Sequence, residues 1–168
     1  VRRDRVPSAM RIAVDVMGGD HGCAVVIGGV KLALQADPRI TSLLLVGQED
    51  KIRPALAATG LNDRRTQIVH ASEVLTMDDS PVEGIRRKKD SSMVRAIDLV
   101  RDAKADAVIS PGNTGALVAG SMKLRRLEGV ERPAITVRMP SRTGDFVLLD
   151  AGANPVCEPQ HLAQFAVM

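Results

Sequence analysis

Short apolar runs that do not alternate with polar residues restrict the fold of this chain more than any other feature. Arg11-Ile12-Ala13-Val14-Asp15-Val16, Ser42-Leu43-Leu44-Leu45-Val46-Gly47 and Ala107-Val108-Ile109-Ser110 are each too short for a core helix and read as strands. A strand with one wet face alternates with period two, whereas a strand covered on both faces reads as a continuous apolar run. Stretches of helical spacing separate these runs. Val26, Val30, Ala33 and Leu34 share one helix face, residues 49–58 read as a second helix, and Met93, Ile97 and Val100 mark another that Ser91 or Ser92 can cap. Gln67 to His70 is a further short strand. Strand–helix alternation of this kind predicts an α/β fold: a doubly wound, mostly parallel sheet in a three-layer αβα arrangement.

The remaining segments are less regular. Residues 1–9 are polar, basic and proline-containing and read as a flexible tail, so the lobe is expected over 10–168. Residues 71–90 are polar and irregular, which predicts a long loop or mobile arm. A helix is expected from about Ala116, with Lys123, Arg125 and Arg126 near its C-terminus and Gly129 just past it. Ala134 to Met139 and Phe146 to Asp150 are strands of a terminal antiparallel hairpin, joined by Pro140 to Asp145.

Composition excludes several classes. With 45% hydrophobic and 26% charged residues, the 168-residue chain can bury a core. Its apolar runs are too short to span a bilayer, and no apolar stretch follows Arg2, Arg3 and Arg5 to make a signal peptide, so a cytoplasmic protein is expected. Cys23 and Cys157 have no paired spacing, which predicts two reduced structural thiols rather than a disulfide or a metal site. The net charge of +3 suits nucleic acid only if aromatic faces accompany it; Trp and Tyr are absent, and Phe146 and Phe165 are the only aromatics. An acidic protein or a phosphate is the better match for the basic surface.

Three glycine-bearing polar loops each follow an expected strand: Gly18-Gly19-Asp20-His21-Gly22, Gly112-Asn113-Thr114-Gly115 and Gly152-Ala153-Asn154. In an open α/β sheet such loops gather beyond the carboxyl ends of the strands, where ligands bind. Glycine admits close backbone approach, and a following helix N-terminus offers free N–H groups to an anion. None of the loops is GxxxxGK[ST] or GxGxxG, which argues against a nucleoside triphosphatase or a dinucleotide dehydrogenase.

The run Met10-Arg11-Ile12-Ala13-Val14-Asp15-Val16-Met17-Gly18-Gly19-Asp20-His21-Gly22 closely resembles the opening of the bacterial phosphate:acyl-acyl-carrier-protein acyltransferases. The resemblance continues, in order, through Met77-Asp78-Asp79-Ser80-Pro81, Arg87-Lys88-Lys89-Asp90-Ser91-Ser92-Met93 and Gly112-Asn113-Thr114-Gly115-Ala116-Leu117. It ends with Arg132-Pro133-Ala134, Leu149-Asp150-Ala151-Gly152-Ala153-Asn154, Cys157 and His161-Leu162. Departures occur at Cys23-Ala24, at Pro111 and at Pro155-Val156. The resemblance implies a fold similar to phosphate acetyltransferases and isocitrate dehydrogenase-like enzymes. It also implies transfer of a long acyl chain from acyl-carrier protein to inorganic phosphate, giving acyl phosphate for phospholipid synthesis. No metal or organic cofactor is implied. A homodimer able to lie on the inner membrane surface is, and so is a second half of similar length.

Each candidate residue carries two readings. His21 can act as acid, base or phosphate donor, or simply hold its turn. Asn113 and Thr114 can meet a phosphate or thioester oxygen, or cap the helix after them. The resemblance favours a catalytic part for His21, Asn113 and Asn154, and substrate contact for Gly19, Asp20, Lys89, Ser92, Gly112, Thr114, Gly115 and Gly152. Asp15 and Asp150, expected at one sheet edge, can orient donors or serve as hydrogen-bonded structural groups, and His161 reads as structural. Arg86, Arg87 and Lys88 form a cationic run suited to an acidic carrier protein, against the plainer reading of a solvated face. Two other functions compete: a dehydrogenase-like nucleotide-binding domain, whose dinucleotide loop is missing, and an inactive half-protein that folds without a complete pocket.

Overall fold

The computed structural model describes residues 9–168, so the tail expected over 1–9 lies, except for Ala9, outside the described residues. The chain forms two compact units, Val1–Lys123 and Leu124–Met168.

The first unit is built on a four-stranded, wholly parallel sheet. Its strands are β1 (Met10–Asp15), β2 (Ile40–Gly47), β3 (Thr66–His70) and β4 (Ala107–Ile109), in the order β3-β2-β1-β4. The unalternating runs are explained by cover on both faces. Val14, Leu43 and Leu45 point to one face, where they pack with Ile27, Val30 and Leu34 of α1 (Cys23–Ala36) and Ile52 and Ala55 of α2 (Glu49–Thr59). Ala13, Leu44 and Val46 point to the other, against Ala96 of α4 (Ser92–Arg101). Successive side chains of a strand face opposite ways, so a strand between two helical layers must be apolar at every position. α2 ends where Gly60 adopts φ 62°, donating its N–H back to Leu56 and Ala57, a left-handed cap that suits glycine. Arg11 grips Asp106 through its backbone N–H, Nε and Nη2, which fixes β4 alongside β1.

Residues 71–90 correct the expectation of a mobile arm. They contain a seven-residue helix, α3 (Pro81–Arg87), and bury Ala71, Leu75, Gly84 and Ile85. A Cβ on Gly84 would sit 2.5 Å from Leu75 Cδ2, so glycine lets α3 lie on Leu75. The Asp79 carboxylate gathers the segment: it accepts from the Thr76 backbone and hydroxyl and from Lys88 Nζ at 2.6 Å. Lys88 and, after it, the Thr76 N–H hold that carboxyl below its usual range. Asp90 closes the far end by accepting from the Ser72 hydroxyl and N–H and from Arg95.

Those Ser72 and Arg95 hydrogen bonds lower Asp90 from the usual 3.8 to about 2. A depressed carboxyl contributes stability that is whole above its unfolded value and is lost as pH falls toward its folded one. Stability measured by urea unfolding should therefore fall between about pH 4 and pH 2. Asp90→Asn should shrink that fall; an unchanged pH profile in the variant would show that Asp90 is not tied down in this way.

After β4, α5 (Thr114–Ser121) stops at Ser121, before the cations Lys123, Arg125 and Arg126 expected near its C-terminus. Gly129 (φ 74°) belongs to a separate turn in the second unit. That unit holds the hairpin, β5 (Thr136–Ser141) and β6 (Gly144–Leu149), which forms its own two-stranded antiparallel sheet. The connection is the two-residue turn Arg142-Thr143, shorter than expected because β5 runs on through Pro140 and Ser141. A lone hairpin is marginal in water. Here α6 (Pro159–Val167) lines a groove with it through Leu162, Phe165 and Ala166 opposite Val147 and Leu149, and β6 stays largely exposed.

His161 is structural, as its place at a helix start indicated. It is buried, its Nδ1 accepts the Glu158 N–H at 3.0 Å, and its Nε2 lies 3.4 Å from Glu131. The Nδ1 acceptor role puts the proton of a neutral ring on Nε2, facing that carboxylate. His161→Ala strands a helix-cap N–H and should cost about 1–3 kcal/mol, read as a lower unfolding midpoint.

Candidate functional site

The order β3-β2-β1-β4 reverses direction between β1 and β4. Chain progress runs outward from β1 to β2 and β3, then returns to the far side of β1 for β4. At such a switch point the loops leaving two neighbouring strands diverge to opposite faces and leave a crevice beyond the carboxyl edge. The loops leaving β1 and β4 are Gly18 to Gly22 and Ser110 to Gly115, two of the three glycine loops.

The two loops touch backbone to backbone. A Cβ on Gly18 would lie 2.7 Å from Gly112 N and 2.9 Å from its Cα, a contact closed to any other residue type. Asp15, only 2% exposed, ties them together from below. Its Oδ1 accepts the Met17 N–H at 3.1 Å and its Oδ2 accepts the Ser110 hydroxyl at 2.7 Å. Ser110 Oγ in turn accepts the Gly112 N–H at 3.1 Å. A carboxylate, a hydroxyl and a loop N–H thus form one chain of hydrogen bonds across both loops. Of these, Asp15 was open to either reading, and its hydrogen bonds here join the two loops; Ser110 was not singled out. Its signal was its place directly after an apolar strand and before a glycine loop.

Above this frame, α1 begins at Gly22 (φ 77°) with no side-chain cap, and α5 begins at Asn113. The first N–H groups of a helix have no partner within it, and its dipole adds partial positive charge. α4 starts at the same edge, where the Met93 methyl lies 3.3 Å from where a Gly112 Cβ would stand. Gly19, Asp20, His21, Thr114 and Gly115 are all exposed on the rim, and Gly112 is half-buried between the loops. Holding an anion by N–H donors from two converging loops is chemistry that such an arrangement can perform.

Asn113 is engaged elsewhere. Its Oδ1 accepts the Ala116 N–H at 2.9 Å, the cap reading, and its Nδ2 donates to the Asp79 carbonyl at 3.1 Å and faces those of Thr76 and Met77 at 3.4 and 3.5 Å. The same join brings Pro81 onto Gly115, where an added Cβ would meet Pro81 Cγ at 2.8 Å. The stretch Met77-Asp78-Asp79-Ser80-Pro81 therefore buttresses the loop after β4, a contact sequence spacing does not reveal.

Four further expectations divide. Ser92, expected to meet substrate, is 1% exposed inside α4, with its N–H donating to Glu73 O. Helix α4 must bury this face to pack on the sheet. Lys88, expected at a partner surface, turns inward to Asp79 and the Val74 carbonyl. Arg86, Arg87 and Lys89 are exposed, and Arg87 pairs with Glu83 at 2.9 Å within α3. Cys23 and Cys157 are free, half-buried thiols, and burial pushes the Cys23 thiol up.

The third glycine loop belongs to the second unit. Asp150 follows a strand of the separate hairpin, so it does not share a sheet with Asp15. Its carboxylate accepts from the N–H groups of Ile135, Ala153 and Asn154 and from the Asn154 amide at 2.9 Å. Burial alone would raise this carboxyl, but the four donors outweigh it and hold it below the usual range. Asn154 also donates to Pro133 O at 2.9 Å, and Gly152 sits in the turn with φ 96°.

Comparison with known proteins adds an independent finding. The family described as "Fatty acid synthesis protein" matches residues 10–168. The chain is 47% identical over 162 residues to a phosphate acyltransferase of an Exiguobacterium species, covering 95% of this chain and 48% of that protein. It is 46% identical over 160 residues to the phosphate acyltransferase of Akkermansia muciniphila, covering 95% of the chain and 46% of the relative. For the Bacillus pumilus protein of the same name the figures are 47% over 161 residues, 95% and 47%. The chain spans about half the length of these curated relatives.

Proposed function

The chain belongs to the fatty acid synthesis protein family, and from that premise we infer that it supplies the phosphate-handling half of an acyltransferase. In this reading a long-chain acyl group passes from acyl-carrier protein to inorganic phosphate, and acyl phosphate leaves for phospholipid synthesis. The observation that carries the proposal is the backbone contact of Gly18 with Gly112, which builds one anion cradle from two loops at the switch point.

The chemistry follows from the cradle. Phosphate sits against the free N–H groups at the starts of α1 and α5, where its charge is offset and its orientation fixed. One of its oxygens attacks the thioester carbonyl carbon, a C–O bond forms, and the C–S bond breaks as the carrier's thiolate departs. Further N–H donors and the Thr114 hydroxyl stabilise the oxyanion of the tetrahedral stage. In this reading His21, exposed on the rim beside Asp20, gives the departing thiolate a proton. The exposed cations Arg86, Arg87 and Lys89 offer a landing surface to an acidic carrier. Asn113 serves as a positioning residue, its amide holding the rim in shape.

The test is phosphate-dependent release of free thiol from a long-chain acyl-acyl-carrier protein. It is run on this chain alone and on this chain fused in frame to the remaining half of the Exiguobacterium relative. Thiol release that requires phosphate is expected from the fusion. His21→Gln should lower its rate by about 100-fold, with an unchanged unfolding midpoint because the side chain is exposed. Equal release without phosphate, or no release together with NAD(P) binding, would reject the reading.

A further inference from the structure

Lys88 stands in a run of four cations, Arg86 to Lys89, yet its ammonium faces the protein. Nζ donates to the Asp79 carboxylate at 2.6 Å and to the Val74 carbonyl at 2.9 Å, and the two charged side chains are only 31% and 22% exposed. A pair sheltered in this way is screened less by salt than an open surface pair. The segment that it closes is pinned at its ends as well. Asp90 accepts from the Ser72 N–H and hydroxyl, the Asp90 N–H reaches Glu73 Oε2 at 3.0 Å, and the Ser92 N–H reaches the Glu73 carbonyl at 3.1 Å. Residues 73–90 thus form a strap with fixed ends, and Lys88 ties its last turn back to Val74 and Asp79.

Asp79 shapes the turn before α3. Its carboxylate accepts the Thr76 N–H at 2.7 Å and the Thr76 hydroxyl at 3.1 Å, and its own N–H donates to the Thr76 carbonyl at 3.3 Å. This turn aims three carbonyls, those of Thr76, Met77 and Asp79, at one group, the Asn113 amide. That NH2 group has two hydrogens for three acceptors, so the carbonyls must be held together by the turn itself. At its other end the Asn113 side chain reaches the cradle. Oδ1 accepts the Ala116 N–H, the third of α5, and the first two, those of Thr114 and Gly115, have no partner within the helix. The direction of these two donors therefore follows a side chain whose far end lies in the strap. Pro81 presses on the same point, since a Cβ on Gly115 would stand 2.8 Å from Pro81 Cγ.

On the premise that the cradle takes phosphate, we propose that Lys88 is a positioning residue for that phosphate. Through Asp79 and the turn 76–79 it fixes Asn113, and thereby the two free donors at the start of α5. Lys88 thus differs in role from its exposed neighbours Arg86, Arg87 and Lys89.

The test titrates inorganic phosphate calorimetrically into this chain, its Lys88→Met, Lys88→Arg and Asp79→Asn variants, and the Lys88→Met/Asp79→Asn double variant. Circular dichroism and a thermal melt accompany each. The parent is expected to bind phosphate, and Lys88→Met and Asp79→Asn each to weaken it at least about tenfold at a temperature where all remain folded. The double variant should bind no more weakly than the worse single one, because both changes break the same chain of contacts. Lys88→Arg should stay within about threefold of the parent, since a guanidinium can serve both the carboxylate and the carbonyl. In the fusion to the Exiguobacterium half, Lys88→Met should raise KM for phosphate and leave KM for the acyl-carrier protein unchanged. If Lys88→Met does not fold, Asp79→Asn, which keeps the shape of its side chain, decides. Three results each overturn the assignment: phosphate affinity unchanged in both single variants, losses that add in the double variant, or a raised KM for the carrier with that for phosphate unmoved. In all three the parent still binds phosphate, whereas a parent that binds none removes the cradle reading and this role together.

Discussion

Gly18→Ala should lower stability by about 1–3 kcal/mol and abolish most of the phosphate affinity proposed for the cradle. The added methyl carbon would stand 2.7 Å from Gly112 N and 3.1 Å from Asp15 Oδ2, and neither neighbour is the free end of a flexible chain. Both are held, one by the Ser110 hydroxyl and the other by burial within the sheet. Relief therefore requires the two loops to part. In a domain of this size each kcal/mol lowers the unfolding midpoint by about 2–4 °C. The cost to function should be larger. A displacement of the order of 1 Å at groups that orient a reactant costs about 100-fold in rate. Calorimetric titration with inorganic phosphate and a thermal melt on the same variant separate the two effects. A variant that melts and binds as the parent does would mean that the loops do not meet as described.

Asp15→Ala should be the most destabilising single change in the site. It removes the acceptor of the Met17 N–H and of the Ser110 hydroxyl in a position that is 2% exposed. A fully buried donor left without a partner costs about 1–3 kcal/mol, so this part-buried pair costs at most roughly 6 kcal/mol. That is a large share of the roughly 5–15 kcal/mol that holds a typical domain folded. Asp15→Asn retains one acceptor oxygen and the shape of the side chain, so it should lose much less. The contrast distinguishes lost hydrogen bonds from lost volume. Chemical denaturation midpoints at neutral pH measure both variants, and equal losses for Asn and Ala would show that packing alone matters at this position.

The pH dependence expected through Asp90 and the cap carried by His161 act on parts of the molecule remote from the cradle in sequence. Comparing all four changes shows which losses of the proposed transfer are losses of fold. His21→Gln stands apart, because an exposed rim residue should change rate and leave the melt alone.

Much of this could be read before any coordinates. The strands Ile12 to Val16 and Leu43 to Val46 were legible because burial on two faces leaves a mark in composition at every position. Helix α4 was legible from the spacing of Met93, Ile97 and Val100, with Ser91 as its cap, and its side chain does accept the Val94 N–H. Helix α3 was not. Its seven residues are too few for a periodic signal, and it is held by Leu75, Asp79 and helix α5, neighbours that lie outside it in the chain. Lys88 illustrates the same limit. Four consecutive cations read as one surface, yet the third turns inward because a carboxylate nine residues away is within reach.

Local pattern by itself determined which segments are strands and helices, that the sheet is parallel, and that glycine loops follow its strands. Those properties come from residues near one another in the chain, through side-chain periodicity, backbone freedom and caps. Only the tertiary structure decided that β4 returns beside β1, that Gly18 therefore meets Gly112, and that the third glycine loop follows a strand of a different sheet. These outcomes depend on pairings between strands far apart in sequence. Such pairings are selected by the joint burial of two sheet faces and the handedness of the crossovers, and no single stretch of residues encodes them.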